Sequence, residues 1–401
     1  MPDSFKDNSK PILYENGESC KLIDEELNRL FPKRSIKRVL LVMPPEIDAE
    51  KFDYEVGKRY RYWNCPPYGL GIIASHLRKY GSEVKIINLN NEMLKACKAS
   101  QLKDLFNFDE IWKSFLLNEI DSFNPDIIGV TCLFTITHRS AVQACNEIKR
   151  FVPNIPLALG GVHITNCFMD REESKDIIND FSAVDLFFLF EGEFAFLNFV
   201  KKVNRTDKVD LFQVYFNTSP SKLYIPDKRI PIEDEINIIL AHDLLATKEL
   251  SENGVIGAFH CFKEKGTRFT VMLSNRGCRG SCTYCSVRNF NGIGVRHRSI
   301  QSIIDEMLYL KDQFGIGHIM WLDDDLLHDH NRALSLFNEI VRQNVGITWD
   351  CSNGVVAASC TEEIIAAAAE SGCIGLILGV ETGNAAMLKK VRKPSSIKNF
   401  I

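Results

Sequence analysis

Three cysteines, Cys278, Cys282 and Cys285, fall within eight positions in the run NRGCRGSCTYCSVRNF, Asn275 to Phe290. Thiolates bind metals, pair as disulfides or act as nucleophiles, and C-x3-C-x2-C spacing narrows these choices. A structural zinc ion wants four closed ligands, so the trio would have to recruit His297 or a distant cysteine. A cubane iron–sulfur cluster is held by thiolates; three local ones serve three of its irons and leave the fourth open to another ligand. Gly277 and Gly280 let the loop wrap closely, and Arg276, Arg279 and Arg288 place positive charge beside the thiols, which favours their ionised form. The same arginines also fit a phosphate or RNA patch, or simple local charge balance. The protein has 13 cysteines, an odd number scattered through apolar segments, which suits a reducing compartment and argues against a disulfide framework. Cys351, Cys360 and Cys373 read as ordinary buried or strand-end residues.

A strand, RFTVMLSN, runs directly into this loop, and from there strand and helix alternate four times. The helical stretch SIQSIIDEMLYLKDQFG leads to HIMWL and Asp323-Asp324-Asp325; a helix near RALSLFNEIVRQ leads to ITWDCSN; TEEIIAAAAESG leads to IGLILGV and Glu381. Repeated β-α units with polar residues at the strand ends describe a barrel whose active site lies at its carboxyl end. Aspartates at strand ends are commonly helix caps, and Asp325 reads as one.

Ahead of it lies a second α/β block. KRVLLVM, EVKIINL, DIIGVTC, IPLALGG and DLFFLF are continuous apolar runs, as expected of strands buried on both faces of a parallel sheet, and EFAFLNFVKKV reads as a further strand. In doubly wound sheets ligands bind beyond the carboxyl ends of the strands. Those ends carry Pro44-Pro45-Glu46, Thr131-Cys132, Gly160-Gly161-Val162-His163 and Glu191-Gly192-Glu193. No GxGxxG follows the first strand, which argues against a dinucleotide. Gly160-Gly161 suits either plain turn chemistry or a rim on which a flat, bulky ligand lies.

The expected order is a polar N-terminal extension (1–35), a five-stranded doubly wound parallel-sheet domain (36–203), a linker (204–265) and a barrel of four β/α units (266–401). The 401 residues, 45% hydrophobic and 25% charged, are globular in usage, and a net charge of −4 gives no overall pull toward nucleic acid or anionic membranes. The start, MPDSFKDNSKPILYENGESC, has no apolar signal-peptide core, and no stretch approaches eighteen uninterrupted apolar residues, so the cytoplasm is the expected location.

GCRGSCTYC, with an aromatic residue before its last cysteine and directly after the first barrel strand, resembles the radical S-adenosylmethionine (SAM) superfamily; RHRS and GVETGNAAMLKK match that family's usual run, and the likeness spans 268–394. The resemblance implies a 4Fe-4S cluster on Cys278, Cys282 and Cys285, its open iron chelated by SAM, and reductive cleavage to a 5′-deoxyadenosyl radical. It places Asp323 and Asp324 at the methionine portion and Glu381 toward the nucleoside. LLVMPPE, CPPYGLGIIASHLRKYG, NPDIIGVT, LALGGVHIT and FEGE resemble, in order, the cobalamin-binding domain of one large subclass. That likeness implies a corrin along Pro44, Pro45, Thr131, Gly160, Gly161, Glu191, Gly192 and Glu193. The cobalt-ligating DxHxxG motif of other corrinoid proteins is absent; His163 follows the glycine pair in a different context.

Barrels of this family usually have six β/α units, so with four the chain is expected to be a fragment with an exposed barrel edge. The implied reaction is methylation of an unactivated carbon of a small molecule. Ring closure or rearrangement is the alternative within the class. From other classes, a cobalamin-binding sensor with structural zinc and an RNA-modifying enzyme are the competitors. An external electron donor such as flavodoxin or ferredoxin is implied; a membrane span and nucleic acid are not.

Overall fold

The computed structural model describes residues 17–217 and 223–400. It divides into two compact units, Met1–Glu55 with Gly69–Ile230, and Val56–Tyr68 with Pro231–Ile401. Of the N-terminal extension, 1–16 lie outside the described residues; the helix Gly17–Leu30 follows and buries Ile23, Leu27 and Leu30 at helical spacing. No described helix is long and apolar enough to cross a membrane.

The first unit is built on one sheet, β1 (Arg38–Met43), β2 (Glu83–Asn88), β3 (Ile127–Thr131), β4 (Leu157–Gly160), β5 (Leu186–Phe188), β6 (Val214–Phe216) and β7 (Tyr224–Ile225), in the order β2-β1-β3-β4-β5-β6-β7. The five strands expected from the apolar runs pair in parallel, with Val39 opposite Val84 and Ile127, and Thr131 opposite Gly160. β6 and β7 extend the sheet antiparallel at one edge. The order reverses between β1 and β3, and that switch point is where an open α/β sheet offers a crevice beyond its carboxyl ends.

EFAFLNFVKKV is helical, within Gly192–Asn204, and is not a strand. Its buried residues, Phe196, Phe199, Val200 and Val203, recur every three or four positions. An aromatic-rich apolar run satisfies the strand and helix patterns alike, and the buried stripe decides for the helix.

The second unit has a four-stranded parallel sheet, β8 (Arg268–Met272), β11 (Ile316–Trp321), β12 (Thr348–Val355) and β13 (Cys373–Leu378), ordered β13-β12-β11-β8, with β13 and β8 as its edges. Between β8 and β11 sits an antiparallel ribbon of β9 (Asn275–Cys278) and β10 (Gly294–His297). Side chains alternate across the parallel sheet. Phe269, Val271 and Met320 join Leu250 and Ile256 in one cluster, while Ile319, Trp321, Trp349 and Cys351 join Ile303, Met307, Leu336 and Phe337 in another. The second cluster receives the helices Ile300–Phe314 and His330–Arg342, and Phe337 stacks on Trp349 at 5.0 Å between ring centres.

The proline- and charge-rich stretch 204–265 carries β6 and β7, then turns that bury Leu240, Leu245, Leu250 and Ile256. Buried His242 pins it to the helix Ile300–Phe314 through Glu306 (Nε2 to Oε1, 2.7 Å), whose other oxygen takes Arg298 at 2.5 Å.

Candidate functional site

The cysteine loop leaves β8 at its carboxyl end and is fixed by a carboxylate at once. Asp323, fully buried just beyond β11, accepts from Ser274 N (2.9 Å), Ser274 Oγ (2.5 Å) and Asn275 N (2.9 Å). Burial pushes its pKa up to about 7 against the pull of the Ser274 bonds. Both oxygens thus hold the start of the ribbon.

The ribbon places Cys278 opposite Gly294. Gly277 has φ +93°, and a Cβ there would lie 2.4 Å from the Gly294 carbonyl oxygen, so only glycine closes this pair. At Gly280 a Cβ would stand 3.4 Å from Cys278 Sγ and 3.6 Å from Cys282 Sγ, so two sulfurs flank a position kept free of side chain. The Gly280 amide donates to Cys278 Sγ at 3.3 Å. Burial pushes the Cys278 thiol up to about 11, with Asp325, Asp324 and Cys285 adding to the rise, so metal binding there must displace a proton. Cys282 is half-buried, with its sulfur 3.8 Å from the Arg392 carbonyl, and Cys285 is exposed.

Among the described residues no three His, Cys, Asp or Glu side chains gather on one point to hold a single metal ion. A cubane makes a different demand, since each thiolate bonds a separate iron and the sulfurs stand apart. A loop in which the Cys278 and Cys282 sulfurs flank a bare glycine, one of them accepting an amide hydrogen, fits that demand.

The remaining acids fall in three settings. Asp324 is largely buried, accepts from Asn291 Nδ2 (3.1 Å) and from the Gly277 amide, and is pushed up to about 6 by burial. Glu381 is exposed, with φ +61°; it accepts from Lys393 Nζ at 2.7 Å and from Tyr284, the aromatic residue before Cys285, and these bonds lower its pKa. Asp325 is not a helix cap. Asp329 caps the helix His330–Arg342 by accepting from Arg332 N at 2.9 Å, while fully buried Asp325 grips Arg279 inside the cysteine loop.

On the first unit, the residues expected at a ligand rim all lie at the carboxyl edge of the sheet. Pro44 and Pro45 follow β1 and are buried; Thr131 ends β3 beside Gly160; Glu191 and Glu193 are buried at the start of the helix Gly192–Asn204, after β5. Gly161 has φ +118°, and a Cβ there would meet the Cys132 carbonyl oxygen at 2.3 Å. This glycine is required by close backbone approach whatever ligand is present.

Several rim residues carry no local signal and emerge only from the fold. Leu133, Phe134 and Ile136 are exposed apolar side chains on the turn after β3. Beneath them His163 meets His138 (Nε2 to Nδ1, 3.0 Å) and Thr135 (3.3 Å), and His138 Nε2 lies 3.1 Å from Asp180. Burial and the neighbouring His138 lower the His163 pKa. With both ring nitrogens engaged, His163 is not free to reach a cobalt ion in this arrangement. Glu46, just past β1, has its pKa pushed up to about 8 by burial.

Comparison with known proteins agrees with both halves of this architecture. The radical SAM superfamily model matches residues 272–401 and the B12 binding domain model matches 59–180. Cytidylyl-2-hydroxyethylphosphonate methyltransferase of Streptomyces wedmorensis is 26% identical over 386 residues, covering 91% of this chain and 69% of its own. An uncharacterized methyltransferase of Pyrococcus horikoshii, PH0819, is 26% identical over 360 residues, covering 89% and 68%. Among solved structures, the radical SAM methyltransferase TsrM of Kitasatospora setae, with cobalamin and a [4Fe-4S] cluster bound, superposes with a TM-score of 0.66 at 17% identity over 91% of this chain. The cobalamin-dependent radical enzyme OxsB, with aqua-cobalamin and SAM bound, gives 0.67 at 18% identity over 100%. This chain spans 66% of the length of the TsrM chain and 50% of the OxsB chain. The chain belongs to the radical SAM superfamily, in the branch that carries a B12-binding domain ahead of the barrel.

Proposed function

We propose that this chain is the cofactor-binding core of a cobalamin-dependent radical SAM methyltransferase that methylates an unactivated carbon of a small molecule. The observation that carries the reading is the three-cysteine loop at the carboxyl end of the first barrel strand, with the sulfurs of Cys278 and Cys282 flanking Gly280. When bound, the cofactors supply the electron for reductive SAM cleavage and the methyl group. The chain's own residues position them. Cys278, Cys282 and Cys285 hold three irons; Asp324 and Glu381 offer carboxylates to the ammonium or ribose hydroxyls of SAM, with Asp323 holding the loop beside them. Pro44, Pro45, Thr131, Gly160, Gly161, Glu191, Gly192 and Glu193 shape the edge for a corrin, and the apolar Leu133, Phe134 and Ile136 extend it.

The S. wedmorensis relative is a methyltransferase by name, which supports methylation; an anaerobic magnesium-protoporphyrin IX monomethyl ester cyclase from Synechocystis, 21% identical over 363 residues, keeps ring closure as the second reading. A small reducing protein such as flavodoxin or ferredoxin is the partner the chemistry requires. We place the protein in the cytoplasm, a reducing compartment that suits thirteen cysteines scattered through apolar segments.

The test is anaerobic reconstitution with iron, sulfide and cobalamin, a count of each, and assay for 5′-deoxyadenosine and S-adenosylhomocysteine under reduction. Iron and sulfide near four each with one corrin are expected for a 4Fe-4S protein of this branch. Zinc in place of iron, or SAM cleavage by a variant with serine at all three cysteines, would refute the reading.

A further inference from the structure

Asp325 is a buried charge held tightly beside the first cysteine. It is fully buried, and both its oxygens are taken by Arg279, which lies between Cys278 and Gly280: Nε to Oδ2 at 2.6 Å, Nη2 to Oδ1 at 2.7 Å, and the Arg279 amide to Oδ2 at 3.2 Å. A bidentate guanidinium–carboxylate pair fixes orientation as well as distance, which a lysine would not. Arg279 also donates to the Leu327 carbonyl at 2.7 Å. From the far side of the loop Arg288, three residues after Cys285, donates to the Gly280 carbonyl at 2.6 Å and to the Arg279 carbonyl at 3.2 Å. The peptide units around Cys278 are thus gripped from both sides, and in that shape the Gly280 amide reaches Cys278 Sγ.

We propose that Asp325, Arg279 and Arg288 form a clamp that presets the cysteine loop for its cluster and places a neutral ion pair against the Cys278 ligand. The proposal rests on the loop being a cluster site and names its positioning residues. Asp325 Oδ2 stands 3.8 Å from Cys278 Sγ, so the charge of each partner acts on the thiolate at short range and the two offset one another. Cluster potentials respond to nearby charge and to hydrogen bonds at sulfur. Removing one partner exposes the other. Asp325→Asn leaves a cation beside the cluster and raises its reduction potential; Arg279→Gln leaves a carboxylate there and lowers it. A residue serving stability alone would lower cluster occupancy in both variants without shifting the potential in opposite directions.

The experiment uses the full chain, reconstituted anaerobically, with redox titration followed by electron paramagnetic resonance for the parent, Asp325→Asn, Arg279→Gln and the double variant. Opposite shifts in the single variants, with the double variant returning toward the parent, are expected; shifts of one sign, or none at full occupancy, overturn the proposal. Hydrogen exchange on the metal-free chain gives a second readout that needs no cluster. The amides of 278–282 should exchange at least tenfold faster in Asp325→Asn and in Arg288→Ala, while β8 and β11 stay protected. Unchanged loop exchange overturns the clamp even where clusters fail to assemble. A parent that takes up no iron refutes the cluster reading, and the exchange result then still decides whether the clamp exists.

Discussion

Glu46 makes the most quantitative demand on the first unit. It stands just beyond β1 at the switch point, and burial raises its pKa from 4.5 to about 8. An acid whose pKa is raised by folding holds its proton more firmly in the native state. Stability is therefore highest below the unfolded value, falls as pH rises from about 4.5 toward 8, and levels off above. The full displacement corresponds to a ceiling of about 5 kcal/mol, at ~1.4 kcal/mol for each tenfold change, and relaxation around a half-buried group should leave roughly 2–3 kcal/mol. Glu46→Gln keeps the size and cannot ionise. Its unfolding free energy should nearly match the parent's at pH 4 and exceed it by that amount at pH 9, measured by urea denaturation with circular dichroism at both pH values. A difference that does not grow with pH, or a variant less stable than the parent at pH 9, would refute the argument.

Gly161→Ala forces a Cβ to 2.3 Å from a carbonyl oxygen at φ +118°, so a loss of roughly 2–4 kcal/mol is expected in thermal unfolding, with or without cobalamin; an unaffected melting temperature would show that the turn yields. Single serine substitutions at Cys278, Cys282 or Cys285 should lower iron content and 5′-deoxyadenosine formation, whereas Cys351→Ser, Cys360→Ser and Cys373→Ser should retain iron at the parent level by elemental analysis. His163→Gln should leave the visible spectrum of bound cobalamin unchanged, because both ring nitrogens already have partners; a shifted cobalt spectrum would assign the histidine to the metal.

What could be read directly from the chain was what is encoded locally. The cysteine spacing is complete within eight residues, and each buried strand announces itself in a single apolar run. What needed the fold depends on partners far apart. Asp325 and Arg279 are 46 positions apart, and nothing near Asp325 distinguishes it from a cap. His138 and His163 are 25 apart, each an isolated histidine in sequence. The ribbon of β9 and β10 rests on Gly277 meeting Gly294, a backbone approach that side-chain patterning does not report. The helix Gly192–Asn204 is hidden for a different reason: Phe194 and Leu197, off the buried stripe, fill the polar gaps that make a helical pattern visible.

The division of the chain has a consequence for any attempt to take the protein apart. The second unit includes Val56–Tyr68, inserted between β1 and β2, so the polypeptide passes from one unit to the other at three places, not one. That excursion is woven in: Asn64 donates from its backbone to the Val255 carbonyl and from its side chain to the Leu250 carbonyl, the Val255 amide answers to Tyr62, and the Tyr68 hydroxyl accepts from the Leu273 amide. A gene cut at residue 231 would deliver a radical SAM module missing a piece of itself, together with a partner carrying a stray thirteen-residue loop. The units are therefore not interchangeable cassettes, and swapping a B12 domain among relatives by a single crossover would break the half it was meant to preserve.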